Sequence, residues 1–364
     1  MYQPNFAITN NLLTYIARIE AAKSLIDTAP IVPAWEIKFR SSAVSRMVHY
    51  GTKIEGNELT EEQATQIVRL KNVNNSREAM KKAGILARDR DVQEVINYRN
   101  VVEWIDKQKN IKENNVFTES TLKTLHKLTV ERILDPKYVG VYRDKQVIVE
   151  SGAAGGVVFR PPVSVEVPYL VKDLFTWGKS EKAKEVHPIF RAAILHYQLV
   201  YIHPFIEGNG RTARAMATLL MYTTGYDFKR FFSLEQYFDS DVNAYYEALL
   251  SVQQSGNQDL TYWLEYFTYG LAIEIEKIKS QVLKLSRDLK LKKQLGKQIA
   301  LSERQIILLE LFQQQDEITS EEAQRVLPNV SVDTILRDIK DLIRKGVVEK
   351  KGVTKGVRYR LVGA

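Results

Sequence analysis

The stretch from 203 to 214, HPFIEGNGRTAR, constrains this chain more than any other. Residues 187–202 before it place apolar side chains at helical spacing, so His203 is expected at a helix end. Pro204 disfavours helical geometry at His203 and predicts a chain break there. Residues 211–222 (RTARAMATLLMY) are rich in good helix formers, so the loop opens a second helix. The stretch is read as helix, loop, helix.

That arrangement suits phosphate chemistry. Gly208 and Gly210 let the backbone turn and approach a ligand closely. Amides at the following helix N-terminus attract anions. Arg211 and Arg214, three apart on one helix face, can fork onto phosphate oxygens. Glu207 is a hard oxygen ligand suited to a magnesium ion that keeps most of its waters. His203 titrates near neutrality and suits a general base.

The same residues, read as H-P-F-x-x-G-N-G-R-x-x-R, resemble the signature of the Fic family, with Glu207 at a position often held by Asp. The resemblance implies transfer of AMP from ATP to a Ser, Thr or Tyr hydroxyl of a target protein. It implies His203 as base and Glu207 as the magnesium ligand. Gly208, Asn209, Gly210, Arg211 and Arg214 would hold the nucleotide. The implied fold is all-α, with a small β-hairpin flap. A P-loop pattern, G-x-x-x-x-G-K-[ST], does not occur.

Size and composition bound the rest. A chain of 364 residues allows two or three domains, and 45% hydrophobic with 26% charged residues is ordinary for a globular chain. Net charge +8 suits an anionic partner, nucleotide or nucleic acid alike. With no cysteine there is neither a disulfide nor a thiolate zinc site. The N-terminal MYQPNFAITNN lacks a charged region followed by an apolar run, and no apolar stretch approaches bilayer length. A cytoplasmic setting without membrane contact is the expectation.

Residues 9–29 predict a first helix with Leu12, Leu13, Ile16, Ile19 and Ile26 on one side. Val44, Met47 and Val48 then predict a short helix over about 42–56, with Glu55 on its last turn and Gly56 as its stop. Ile54-Glu55-Gly56-Asn57 resembles the end of the Fic inhibitory motif, [S/T]-x-x-x-E-[G/N]. That resemblance implies that Glu55 pairs with Arg214 and occupies the γ-phosphate position. The Ser/Thr position is Gly51 here, with Thr52 one residue late, so a loosened helix is expected. His126, inside a helix expected over 118–134, is read as a surface or packing histidine.

Val147-Ile148-Val149 and Val157-Val158-Phe159, joined by a Gly/Ala/Ser loop, predict a hairpin. In Fic proteins such a flap over 147–160 implies binding of a target segment by strand addition. Aromatics at Phe231, Phe232, Tyr237, Tyr245 and Tyr246 either face adenine or fill the core, and Tyr246 is the one assigned to the nucleotide.

From Arg287 the chain turns basic, roughly +5 to the end. The expected order is helix, helix, turn, helix, hairpin, which resembles a winged helix-turn-helix. Its third helix offers Thr334, Arg337, Lys340 and Arg344, against which Asp333, Asp338 and Asp341 would repel phosphate. The expected wing offers Lys350, Lys351, Lys355, Arg358 and Arg360. The organisation read from the sequence is a helical region over 1–95, a Fic core over 96–286 and a winged helix over 287–364. A homodimer, and DNA held through 287–364, are the further partners considered. An auto-inhibited adenylyltransferase is preferred over two alternatives. One is an AMP-removing phosphodiesterase that uses Glu55. The other is a nucleotide-sensing DNA regulator, which would not require His203.

Overall fold

A computed structural model describes residues 2–31, 33–70, 72–108, 111–150, 157–294, 302–315, 317–328, 330–352 and 357–362. The chain forms two units, Met1–Ser286 and Arg287–Ala364. In the first, helices run α1 Asn10–Thr28, α2 Pro33–Lys53, α3 Glu61–Arg69, α4 Ser76–Ala83, α5 Asp89–Lys107, α6 Glu113–Val116 and α7 Glu119–Val130. A hairpin follows, β1 Val149–Glu150 against β2 Val157–Phe159. Then come α8 Val167–Gly178, α9 Glu181–Lys184, α10 Pro188–Ile202, α11 Asn209–Thr223, α12 Leu234–Ser240 and α13 Val242–Gln254. Helix α14, Thr261–Gln294, carries the chain past Ser286. Among the described residues of the first unit, the one pair of strands is this antiparallel hairpin, Val149 opposite Phe159 and Glu150 opposite Val157. The connecting residues 151–156 lie outside the described residues.

Helix α10 lies at the centre because it is apolar nearly all round. Ile189 to Leu199 are buried without interruption, including Arg191, His196 and Gln198. A helix with no polar face must be covered on every side. Helix α11 packs against it, and α7 and α5 lie against α11. Helix α2 packs on α3, α5 and α12, so the N-terminal helices share one core with α10 and α11. Helix α5 runs through residues 95 and 96, where a domain division was expected.

Several local readings are corrected here. Thr9 caps α1 by accepting from the Leu12 N–H, and Leu12, Ile19 and Ile26 are buried, but Leu13 is 59% exposed. Helix α2 is longer than the expected 42–56 segment and ends at Lys53. Glu55 therefore sits in the turn beyond it, where the Glu55 N–H donates to the Thr52 carbonyl at 3.0 Å. Phe231 and Phe232 are core residues, 2% and 1% exposed.

The second unit comprises α15 Glu303–Gln314, α16 Ser320–Val326, α17 Val332–Arg344 and a hairpin of β3 Val348–Lys351 with β4 Arg358–Leu361. Its own core gathers Leu308, Phe312, Ile318, Ile335, Ile339 and Leu342. Two of the acids on α17 are turned inward. Arg304 Nε donates to Asp338 Oδ2 at 2.8 Å, and Asp341 accepts from Gln305 Nε2 at 2.8 Å and pairs with Lys345. Asp338 and Asp341 thus do not form the exposed acidic face expected of them, while Arg337, Lys340 and Arg344 are exposed. Lys351 and Arg360 on the hairpin pair with Glu317 and Glu349. Asn329 and Lys355 lie outside the described residues.

Candidate active site

The loop between α10 and α11 is built to hold an unfavourable turn. His203 caps α10 in the left-handed region, φ 50° and ψ 61°, which costs a non-glycine residue about 1–2 kcal/mol. Its N–H still donates to the Leu199 carbonyl at 3.1 Å. Asn209, expected among the nucleotide ligands, is instead turned into the loop. Its Oδ1 accepts from the Phe205 N–H and its Nδ2 donates to the Phe205 carbonyl, both at 2.9 Å. Gly208 has φ 78°, and a Cβ there would lie 2.7 Å from Val130 Cγ1. Gly210 has no such strain, but a Cβ there would lie 2.4 Å from Glu55 Oε1. Glycine at 210 is what lets a carboxylate reach the first turn of α11.

Two histidines meet this loop with fixed tautomers. His203 Nδ1 is 3.1 Å from the Val200 carbonyl, which can only accept, so the proton sits on Nδ1 and Nε2 keeps its lone pair. Burial lowers the His203 pKa from 6.5, so the ring is neutral at pH 7. His126 is fully buried, not at the surface. The Gly140 N–H donates to its Nδ1 at 2.9 Å, which leaves Nε2–H to donate to the Glu207 carbonyl at 3.0 Å. Its ring stacks on Phe205 at 3.7 Å, and burial pulls its pKa down to about 4. His126 is a neutral brace beneath the loop.

Charge converges above the loop. Arg214 Nη2 donates to Glu55 Oε1 and to the Gly51 carbonyl, each at 2.8 Å. Burial opposes ionisation of Glu55, but Arg214 and Arg211 outweigh it and hold the carboxyl below its ordinary range. The turn bearing Glu55 is tied down by Asn57, whose Nδ2 donates to the Asp91 carbonyl and to Glu94 Oε2, both at 3.0 Å. Glu94 also faces Arg211 Nη1 at 3.4 Å. Glu207 pairs with Arg90 and lies 3.8 Å from Arg211. Both arginines of the loop helix are nearly inaccessible, yet among the described residues Arg211 Nε and Arg214 Nε have no hydrogen-bond partner, and Arg211 Nη1 has only the Glu94 ion pair at 3.4 Å. Buried guanidinium donors without acceptors are costly, and an anion would satisfy them.

A cavity of about 110 Å³ brings together His203, Gly210, Arg214, Glu55 and Tyr246, with Val149 and Phe159 of the hairpin over it. That is well below the roughly 300 Å³ at which small-molecule sites begin. Tyr246 is 39% exposed, whereas its neighbour Tyr245, which also lines the cavity, is buried and stacked on Phe238 at 4.6 Å. Glu207, Asn209 and Arg211 do not line this cavity. Among the described residues no group of three or more His, Asp or Glu side chains is placed to hold a metal.

Sequence reasoning missed four supports of this site. Arg90, Glu94 and Arg143 carry no local signature, and His126 looks like any helical histidine. A cation four residues ahead of a glutamate, as in Arg90 and Glu94, was the one available hint.

Residues 116–221 match the Fic/DOC family model. A protein adenylyltransferase Fic of Drosophila grimshawi is 40% identical over 111 residues, 30% of this chain and 21% of that protein. The same-named protein of Drosophila yakuba is 30% identical over 187 residues, 51% of this chain and 34% of that protein. The chain therefore spans between a fifth and about a third of the length of these relatives. A crystal structure of a Fic family protein from Desulfovibrio desulfuricans G20 matches with TM-score 0.66 at 21% identity, covering 100% of this chain and 99% of that one. Fic-1 (residues 134–508) from C. elegans matches with TM-score 0.54 at 24% identity, covering 76% and 74%. These neighbours share the fold.

Proposed function

We propose that this chain, whose residues 116–221 form a Fic/DOC-family domain, is a protein adenylyltransferase held back by its own Glu55. One observation carries the reading. The buried guanidiniums of Arg211 and Arg214 have unsatisfied donors, and a carboxylate from a distant turn sits against Arg214 at 2.8 Å. A site made for phosphate oxygens, plugged by the protein's own acid, is the simplest explanation of both.

In the proposed reaction His203 Nε2 takes the proton of a target Ser, Thr or Tyr hydroxyl. The freed oxygen attacks the α-phosphorus of ATP, the bond to the β-phosphate oxygen breaks, and pyrophosphate leaves. Arg211 and the N–H groups opening α11 stabilise the phosphates, and Arg214 takes the γ-phosphate once Glu55 has moved. Asn209 acts through the loop, holding Phe205 so that His203 keeps its pose. Glu207, a partly exposed carboxylate now paired with Arg90, would offer one oxygen ligand to a magnesium ion arriving on the triphosphate with its own waters once the exposed Arg90 side chain has moved aside. When bound, such an ion neutralises charge on the phosphate oxygens. A target segment lies along the 147–160 hairpin, and adenine rests against Tyr246. A cytoplasmic, ATP-supplied setting belongs to the same proposal. Label in the α-phosphate appearing on protein, with label in the γ-phosphate released as pyrophosphate, tests it; transfer of γ-label instead would make the chain a kinase.

A second reading, removal of AMP from a modified protein, is favoured by the placement of Glu55. Its carboxylate lies in the same cavity as His203 and is held ionised, so it can orient a water as well as block a phosphate. The C-terminal unit is proposed as a winged helix that contacts DNA phosphates through Arg337, Lys340 and Arg344. Anisotropy of labelled duplex against salt tests this, with a slope that shrinks when these three are replaced.

A further inference from the structure

Arg143 is 2% exposed, and none of its hydrogen-bond partners is a carboxylate. Its guanidinium instead gathers carbonyl oxygens. Nε donates to His203 at 2.7 Å, Nη2 to Pro162 at 2.5 Å and to Ile202 at 3.3 Å, and Nη1 to Lys145 at 3.1 Å. The Arg143 N–H donates to the Pro204 carbonyl at 2.9 Å. These acceptors fall in two places. Lys145 and Pro162 are the two feet of the hairpin, just before β1 and just after β2. Ile202, His203 and Pro204 are the strained end of α10.

One rigid fork therefore fixes the hairpin and the catalytic turn to each other. The feet are also stitched together by Gln146 Nε2 donating to the Pro161 carbonyl at 2.8 Å, and by Ser164 Oγ donating to the Asp144 carbonyl at 3.1 Å. The hairpin then closes over the cavity through Val149 and Phe159. Burying an unpaired guanidinium is expensive, and an apolar residue could fill the space at less cost. Five planar donors reaching two separate segments are what only arginine offers.

We infer that Arg143 is a positioning residue that sets the flap hairpin in register with His203, so that a hydroxyl carried on the flap meets Nε2. This rests on the adenylyltransferase reading above. Arg143 does not line the cavity and acts through the two backbones it joins. Its charge also bears on His203, which faces Glu55 from the turn after α2, Arg214 from α11 and Tyr245 and Tyr246 from α13.

The test uses the full chain in a Glu55→Gly background, with Arg143→Lys and Arg143→Gln added separately. Three readouts are taken: ATP affinity, AMP transfer to protein, and the His203 ring titration by NMR. Both variants should bind ATP within about twofold of the parent and transfer AMP at least about tenfold more slowly, since a small misplacement of reacting groups costs that much. Arg143→Gln removes a cation and should raise the His203 pKa, whereas Arg143→Lys should leave it near that of the parent. Transfer at the parent rate in both variants, or a rate loss matched by an equal loss of ATP binding, overturns the inference. If Arg143→Gln does not fold, the lysine variant decides by rate and ATP affinity. If the Glu55→Gly parent itself transfers no AMP, the function reading has failed. The ring titration then still decides whether Arg143 holds His203, and an unmoved pKa in Arg143→Gln refutes that.

Discussion

Glu55 Oε1 and Arg214 Nη2 meet at 2.8 Å, in a cavity that also contains His203. Arg214 is 2% exposed on its side chain and Glu55 25%, so replacing Glu55 strands a buried cation. The loss should be on the order of 2 kcal/mol once the partial exposure of the acid is discounted. The Glu55→Gly protein should therefore melt lower than wild type when apo, and ATP should restore more of its melting temperature than it does for wild type. Differential scanning fluorimetry with and without ATP checks this.

The pair also sets an acid limit on inhibition. The Glu55 carboxyl is more acidic folded than its ordinary 4.5, so the pair is fully present above that value and is lost only as pH falls through the lowered pKa. Inhibition should hold from pH 8 down to about 5. ATP affinity of wild type and Glu55→Gly measured across that range should differ by a constant factor.

Gly51 gives a prediction opposite to its first reading. A hydroxyl residue there was expected to anchor the inhibitory helix better. A Cβ at 51, however, would lie 2.4 Å from Tyr98 Cε1, and Tyr98 is itself held by donating to Glu235 Oε1 at 3.0 Å. The Gly51 carbonyl also accepts from Arg214. Gly51→Ser should push α2 away, weaken the Glu55 pair and raise basal AMP transfer several-fold. A fall in basal transfer would show that Tyr98 yields and that the anchor reading was right.

The base should work well into acid. Burial holds His203 below 6.5, and although Glu55 raises it, Arg143 lowers it. Protonation removes the base, so activity is retained as pH falls through 6.5 and lost at the lowered pKa. In Glu55→Gly the acidic neighbour is gone and the acid limb of kcat/KM should sit lower still. A limb at or above 6.5 in that variant would place the titrating group elsewhere.

Arg90 competes for Glu207. Its guanidinium pairs with the carboxylate proposed to meet magnesium, and it is 57% exposed, so it can move aside at little cost. Arg90→Ala in the Glu55→Gly background should lower the magnesium concentration needed for half-maximal ATP binding, by roughly three- to tenfold. Isothermal titration at varied magnesium reads this directly.

What could be seen beforehand follows from distance along the chain. The 203–214 stretch is local, so its loop and its helix starts were legible from residue types alone, and His203 stood out there as the candidate base. Glu55 was legible because four consecutive residues carry a resemblance. The supports were not, because each joins segments far apart: Arg90 reaches Glu207 over 117 positions and His126 reaches it over 81. Nothing around His126 distinguishes a brace from a packed ring until Phe205 lies beneath it. Tyr245 and Tyr246 are adjacent and both line the cavity, and only packing decides that the first is buried against Phe238 while the second stays exposed. Asp338 and Asp341 counted as surface charge until Arg304 and Gln305 of another helix took them.

The most direct measurement is incubation with α-labelled ATP and magnesium of wild type, Glu55→Gly, and Glu55→Gly with His203→Ala. Self-labelling serves as the acceptor reaction. Strong label on Glu55→Gly, faint label on wild type and none on the double variant is the predicted result. Equal label on all three, or none on Glu55→Gly while it binds ATP, would contradict an adenylyltransferase plugged by Glu55.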